Sequence, residues 1–311
     1  MAKSCSRDEK AAHLQKKELE FWETLKKSGE DVELKLARDL PDDTPDFILS
    51  MLSGFEKDVA EFCFANCEGL ILDAGCGNGN LLLKALSNGC SNDHAARFIG
   101  MDFSKNMLSR AALRAGSDPR ACFLQGSVSR LPFKNQTFDW LASSGVLTCL
   151  SSVEEAAEAR GEFYRVLKPG GVLVVDFFNS ISHYTLVRRH LLRETIEPPE
   201  YVSPSAFCKD LEKAGFQICT FRGFDFKPIQ GYLFMSSLRP LIDPFFIQEK
   251  FSCFLESKMV SRRPELSLLG YRVYVKCRKK RDSLGDIRGN GILPRDSYLG
   301  LLHFPGTKRR H

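Results

Sequence analysis

No apolar run in this sequence approaches the roughly 20 residues that a membrane-spanning helix needs, so no membrane span is expected. The first ten residues, Met1 to Lys10, lack the apolar core of a secretory signal, and a cytosolic location is the expectation. None of the 11 cysteines stands in a Cys-x-x-Cys pair, their number is odd, and most lie in apolar stretches. In such settings cysteine acts as a small hydrophobe, so neither a disulfide framework nor a zinc site is expected. The six histidines show no ligand spacing either, and no metal is assigned. Internal repeats are absent.

What is present is an ordinary globular composition, 43% hydrophobic and 27% charged. The charge is unevenly placed. Residues 276–311 hold ten lysines and arginines against three aspartates, a balance of +7, whereas the whole chain carries +5. The body is therefore close to neutral and its tail basic, which weakens any reading of the body as a nucleic-acid binder.

The chain is organised around residues 70–80. Leu70-Ile-Leu72 reads as a short buried strand ended by Asp73, glycines follow at 75, 77 and 79, and Leu81–Leu86 reads as a helix. A glycine turn between strand and helix lets backbone approach a ligand closely. Upstream, residues 8–40 read as one helix, with Leu14, Phe21, Trp22 and Leu25 on a face. A second helix carries the stripe Phe47, Ile48, Met51, Leu52, Phe55, Val59 and Phe62. Together, residues 1–69 are expected to form a helical cap.

Downstream, strands are expected at 97–102, 121–126, 138–143 and 172–178, separated by helices at 105–115 and from Ser152 through Leu167. Lys168-Pro-Gly-Gly171 stops the second of these helices. Ser203-Pro204 opens another, and 216–222 and 271–277 complete seven strands. Strands alternating with helices predict an α/β, doubly wound, mostly parallel sheet over 70–280. Two insertions interrupt it, 179–202 and 224–270, the latter before the last strand and holding eight aromatics. Residues 281–311 are expected to be a disordered tail.

Strand ends of a parallel sheet share an edge, which would bring together Asp73 and its glycine turn, Asp102, Gly126-Ser127-Val128 and Ser143. Asp102, 23 residues beyond Gly79, suits both hydroxyls of a ribose. No phosphate-binding lysine follows the glycines, so the turn is not a Walker loop. An anion at Asp73 would repel a pyrophosphate but suits a ligand bearing an ammonium and a sulfonium, which favours S-adenosylmethionine over a dinucleotide.

Four stretches, Asp73-Ala-Gly-Cys-Gly-Asn-Gly79, Gly100-Met-Asp-Phe-Ser104, Leu131-Pro-Phe with Phe138-Asp139, and Arg165-Val-Leu-Lys-Pro-Gly-Gly171, stand in order. They resemble the signatures of class I S-adenosylmethionine-dependent methyltransferases, most closely the type 11 domain. The resemblance implies a Rossmann-like seven-stranded sheet with a reversed final hairpin. It also implies that Asp73, Gly75, Cys76, Gly77 and Gly79 cradle the amino-acid end and ribose of S-adenosylmethionine. Asp102 would take the ribose hydroxyls, Phe103 and Met107 would flank the adenine, and Ser143 would lie near the methyl. The subgroup commonly has an acid where Ser127 stands, so the adenine amino group falls to Ser127 and the backbone of Val128.

The expected activity is methyl transfer to an O, N or C nucleophile of a small molecule. Where that nucleophile carries a proton, His183 and Tyr184 are the candidate bases. The alternatives are a tRNA- or protein-modifying methyltransferase using the basic tail for RNA, and a binding protein without turnover. An Asn/Asp-Pro-Pro-Tyr/Phe stretch, which would point to amino methylation of nucleic-acid bases, is missing after the fourth strand, where Ser143-Ser-Gly-Val-Leu147 stands. Neither the acceptor nor the oligomeric state is written in the sequence.

Overall fold

The computed structural model of the chain describes residues 46–87, 96–191, 193, 198–224 and 264–281, with 245, 247, 251 and 254 singly. The helix expected over 8–40, most of the 224–270 insertion and the tail beyond 281 lie outside the described residues.

Eight strands form one sheet: β1 (Leu70–Ala74), β2 (Arg97–Asp102), β3 (Ala121–Gln125), β4 (Phe138–Ser143), β5 (Leu167–Asn179), β6 (Tyr201–Val202), β7 (Phe216–Phe224) and β8 (Arg272–Lys279). Their order is β3-β2-β1-β4-β5-β8-β7, with β6 attached to β5. β1 to β5 pair in parallel, while β8 runs antiparallel to both β5 and β7. The final hairpin is thus reversed, as the resemblance implies.

The eighth strand is the one the sequence does not announce. Tyr201 and Val202 pair with Phe178 and Asn179, beyond the point where β4 has ended, and two residues give no alternation to read. β5 also starts earlier than expected, at Leu167 rather than Val172. Its Pro-Gly-Gly stretch is absorbed as an irregularity between the Phe138↔Leu167 and Trp140↔Val172 pairs.

Helices cover both faces: α1 (Asp46–Phe64), α2 (Asn80–Ser87), α3 (Lys105–Ala115), α4 (Val153–Val166), α5 (His183–Leu191) and α6 (Pro204–Lys213). Alternate residues of each central strand face opposite ways. Ile71, Trp140, Ala142 and Val174 pack with Val59, Cys63 and Phe64 of α1 and Leu82 and Ala85 of α2. Leu72, Leu141, Leu173 and Val175 pack with Phe163 and Val166 of α4 and Phe207 and Leu211 of α6. Helix ends are closed by side chains. Ser104, Ser152 and Ser203 each accept a backbone N–H at the start of α3, α4 and α6. The Trp140 indole donates to Cys63 O at 2.7 Å, and Lys279 Nζ donates to Tyr164 O at 2.7 Å.

Two of the recognised stretches meet at Arg165. Its guanidinium donates to Leu131 O (3.0 Å), Phe133 O (2.7 Å), Asn135 Oδ1 (2.9 Å) and both oxygens of Glu162. One planar fork thereby fastens the loop before β4 to α4. Arg165→Ala is expected to cost about 2 kcal/mol, since it strands two carbonyls and a carboxylate together. A thermal scan would then show a fall of roughly 4–8 °C, with Arg165→Lys recovering less than half.

Candidate active site

The parallel strands end on one edge, and the glycine turn lies there between β1 and α2. Gly75, Gly77 and Gly79 all have positive φ, at 78°, 54° and 76°, a region costly for residues with a Cβ. Gly75 is also crowded, because a Cβ there would stand 2.1 Å from Val146 Cγ2. Gly77 is open, since the nearest atom to a Cβ would be Met107 Cε at 3.8 Å. Gly77 therefore has open space on its side-chain side, whereas Gly75 yields its space to the β4 loop.

The end of β2 fastens the turn. Met101 O accepts the N–H groups of Gly75 (2.7 Å) and Cys76 (2.9 Å). Asp102 Oδ2 accepts Gly77 N–H at 2.8 Å and its Oδ1 accepts Ser104 N–H at 2.9 Å. A carboxylate has about four lone-pair sites, so holding the turn and receiving hydroxyls are compatible roles for one side chain.

Behind the turn a polar chain that sequence reasoning missed runs from Glu56 of α1 to Asn80. Asn80 in turn accepts from Arg114 Nη2 at 3.1 Å, and Arg114 Nη1 donates to Asn78 O at 2.8 Å. Its members come from three helices, with no shared local pattern to signal them.

Asp73 is 2% exposed, and its Oδ2 is buried with no hydrogen-bond partner among the described residues. Burial, and then the nearby charge of Asp102, push its carboxyl up to about 7. An orphaned buried carboxylate beside an open glycine turn is a poor structural element and a good partner for a cation. Cys76 is buried too, its thiol pushed well above the usual range by burial.

The residues expected beside the adenine lie past the ends of β2 and β3. Met107 is buried and Phe103 is exposed. Ser127 is exposed, with its Oγ accepting Ser129 N–H at 3.3 Å, and Val128 is buried. Gln125 Nε2 donates to Phe103 O at 2.9 Å, which fixes the backbone where Phe103 leaves β2. Ser143 Oγ donates to Ala74 O at 2.9 Å, tying β4 to β1 at their shared end.

Past Ser143 lies a cluster not expected from the sequence. Asp176 Oδ1 accepts Gly145 N–H (2.7 Å), Asp176 Oδ2 accepts Arg272 Nε (2.5 Å), and Arg272 Nη2 donates to Ser144 Oγ (3.1 Å). The only hint in the sequence was an acid inside the apolar run of β5. Alongside stand Phe178 and Tyr271, stacked at 4.9 Å with 13° between planes, and Tyr184 edge-on to Tyr271 at 4.8 Å. Of the two candidate bases, His183 is exposed as the first residue of α5 and Tyr184 is buried.

Residues 71–171 match the profile of a family described as "methyltransferase domain". This span holds the glycine turn, Asp102, β4 and the first residues of β5. Over this third of its length the chain is similar to a methyltransferase domain.

Curated relatives agree with this similarity. A malonyl-[acyl-carrier protein] O-methyltransferase of Enterobacter lignolyticus is 31% identical over 33% of this chain and 36% of its own length. The chloroplastic 2-phytyl-1,4-beta-naphthoquinone methyltransferase of Arabidopsis thaliana is 31% identical over 46% and 53%. The demethylmenaquinone methyltransferase of Clavibacter sepedonicus is 34% identical over 38% and 44%. The chain thus spans about a third to a half of the length of these relatives. Among solved structures, the complex between the Haloferax volcanii Trm112 methyltransferase activator and a putative methyltransferase contains a chain of the same fold. It has a TM-score of 0.51 at 15% identity, covering 74% of this chain and 91% of that one.

Proposed function

We propose that the protein transfers a methyl group from S-adenosylmethionine to an O, N or C nucleophile of a small molecule. The observation that carries this reading is the buried Oδ2 of Asp73, unpartnered among the described residues, beside the open Gly77. Asp73 would receive the ammonium of the cofactor's amino-acid end, the backbone at Gly75–Gly79 would line it, and Asp102 would take the ribose. Phe103, Met107, Ser127 and Val128 would enclose the adenine. Bound there, S-adenosylmethionine supplies a methyl group already activated for in-line displacement. What remains for the chain is to position the acceptor, exclude water and accept a proton where the nucleophile carries one.

For that proton the exposed imidazole of His183 is the better placed candidate. Tyr184, packed edge-on against Tyr271, reads as part of the wall. A small-molecule acceptor is supported by the near-neutral body and by relatives named for a naphthoquinone and a menaquinone.

Calorimetry with S-adenosylhomocysteine tests the reading. Wild type is expected to bind at micromolar concentration, and Asp102→Ala is expected to weaken binding by at least about 100-fold, since it removes two charged acceptors. It would also free Gly77 N–H and Ser104 N–H, lowering the melting temperature. No binding by wild type at sub-millimolar ligand, or unchanged affinity in Asp102→Ala, would sink the proposal.

A further inference from the structure

We propose that Arg272 is the group that recognises the methyl acceptor, and that the acceptor carries an anionic oxygen. The inference rests on the methyl-transfer reading above and adds to it a substrate class, a small molecule with a carboxylate, phenolate or enolate.

Arg272 opens β8 and stands opposite Phe178 near the end of β5. Because β8 is antiparallel, its first residue reaches the edge where ligands of parallel sheets bind. Its guanidinium is fixed on two sides, by Asp176 at Nε and by Ser144 at Nη2. Ser144 Oγ is in turn 2.7 Å from Tyr274 OH. The rings of Phe178 and Tyr274 flank the guanidinium carbon at 5.7 and 5.3 Å. Among the described residues, Nη1 makes no hydrogen bond and is not fully buried, while the side chain as a whole is 19% exposed. One edge of a planar cationic fork is thus clamped and the other is available, which is a preorganised receptor for an oxyanion.

Stability alone does not account for this pair. Asp176 is 1% exposed, and burying both charges costs about as much desolvation as their attraction returns. Other ion pairs among the described residues have at least one partner nearer water, as in Arg160–Asp210 at 10% and 35%, Arg120–Asp118 at 40% and 25% and Lys168–Asp139 at 44% and 37%. The clamped arginine also stands next to the cofactor side. Its Nη2 lies 2.9 Å from where a Cβ on Gly145 would be, and Val146, the next residue, rests on Gly75.

An acceptor whose acidic oxygen arrives as the anion fits the proton chemistry of these surroundings. Such an oxygen is a carboxylate, or a phenol or enol acidic enough to be ionised in solution below pH 8. Both oxygens of Asp176 are engaged, and burial pushes the phenols of Tyr271 and Tyr274 well above their usual value. A nucleophile held ionised by Arg272 needs no base. Its lone pair forms the bond to the methyl carbon while the electron pair of the broken sulfur–carbon bond stays on sulfur, and no proton is released. His183 then serves only acceptors that arrive protonated.

The test uses the full chain and a small-molecule cell extract separated on an anion exchanger at pH 8 before the reaction. Each fraction is incubated with enzyme and tritiated S-adenosylmethionine. Label is expected only from retained, acidic fractions. Arg272→Gln should raise the amount of that fraction needed for half-maximal rate by roughly 10- to 100-fold, with Arg272→Lys between it and wild type. Affinity for S-adenosylhomocysteine should stay within about threefold in both variants. Label from the unretained fraction, or from no fraction, overturns the proposal. So does an equal loss of S-adenosylhomocysteine affinity in Arg272→Lys and Arg272→Gln, which would mark a purely structural pair. Failure of wild type to bind S-adenosylhomocysteine would instead overturn the cofactor reading beneath it.

Discussion

Asp73→Asn should make the unliganded protein more stable at pH 8 and at the same time cost at least about 100-fold in affinity for S-adenosylhomocysteine. Both effects follow from one buried oxygen without a partner among the described residues. The carboxyl of Asp73 sits at about 7 in the fold against 3.8 for the ordinary group, because burial and Asp102 disfavour its charge. Between these two values the folded state binds the extra proton, so stability of the unliganded protein falls as pH rises from about 4 to about 7 and is level above. The gap between the two values corresponds to about 4 kcal/mol at pH 8, of which the neutral amide should recover a substantial part.

The same amide has no charge for the ligand's ammonium. In wild type the ligand must find Asp73 ionised, so affinity should fall up to tenfold for each step of one in pH below about 7, with protons released on binding. Melting curves of both proteins from pH 5 to 8, with calorimetry in two buffers of different ionisation enthalpy, check each part. Affinity constant across that range would remove Asp73 from the role. A group that weakens the empty fold and strengthens the loaded one is the usual signature of a binding residue rather than a packing one.

The second large effect is expected at Gly75. An alanine there would meet Val146 Cγ2 at 2.1 Å while holding a φ of 78°. The overlap costs about 1–3 kcal/mol and the left-handed backbone about 1–2 more, so Gly75→Ala should lose about 3 kcal/mol and all measurable S-adenosylhomocysteine binding. Adding Val146→Ala relieves the overlap alone, and recovers stability only in part. Gly77→Ala is the contrasting case. Its Cβ meets nothing nearer than 3.8 Å, so it should lose only about 1–2 kcal/mol yet still obstruct the ligand. Equal loss of stability in the two glycine variants, measured by chemical denaturation, would mean that the crowding at Gly75 is relieved by a small shift of the β4 loop.

Much of this site was legible because its parts are local. The glycine turn and the serine caps sit within a few residues of what they serve, and Asp102, which holds Gly77 N–H from 25 residues away, closes a strand that can be read by itself. Arg165 and the Leu131 loop were recognisable as stretches, although their mutual hydrogen bonds were not. The Asp176–Arg272 pair was hidden for a different reason. Its members are 96 residues apart and meet only because β8 inserts beside β5, which no periodicity announces. β6 escaped because two residues carry no pattern. Ser127, exposed at the adenine side, shows the converse, a position legible by its departure from the family pattern and unremarkable in its geometry.

The placement of β8 bears on how the protein is made. The strand enters between β5 and β7, both of which precede it in the chain. During synthesis these two strands therefore wait with unpaired edges while some fifty residues of intervening chain, 225–271, are still to come. Contacts of such long sequence separation form late and slowly. Until Arg272–Lys279 arrives, the nascent sheet keeps an open slot in which Asp176 has no arginine, and any strand of suitable sequence is a competitor for it. Closure of the described sheet and pairing of Asp176 with Arg272 are then one event, set by the arrival of β8.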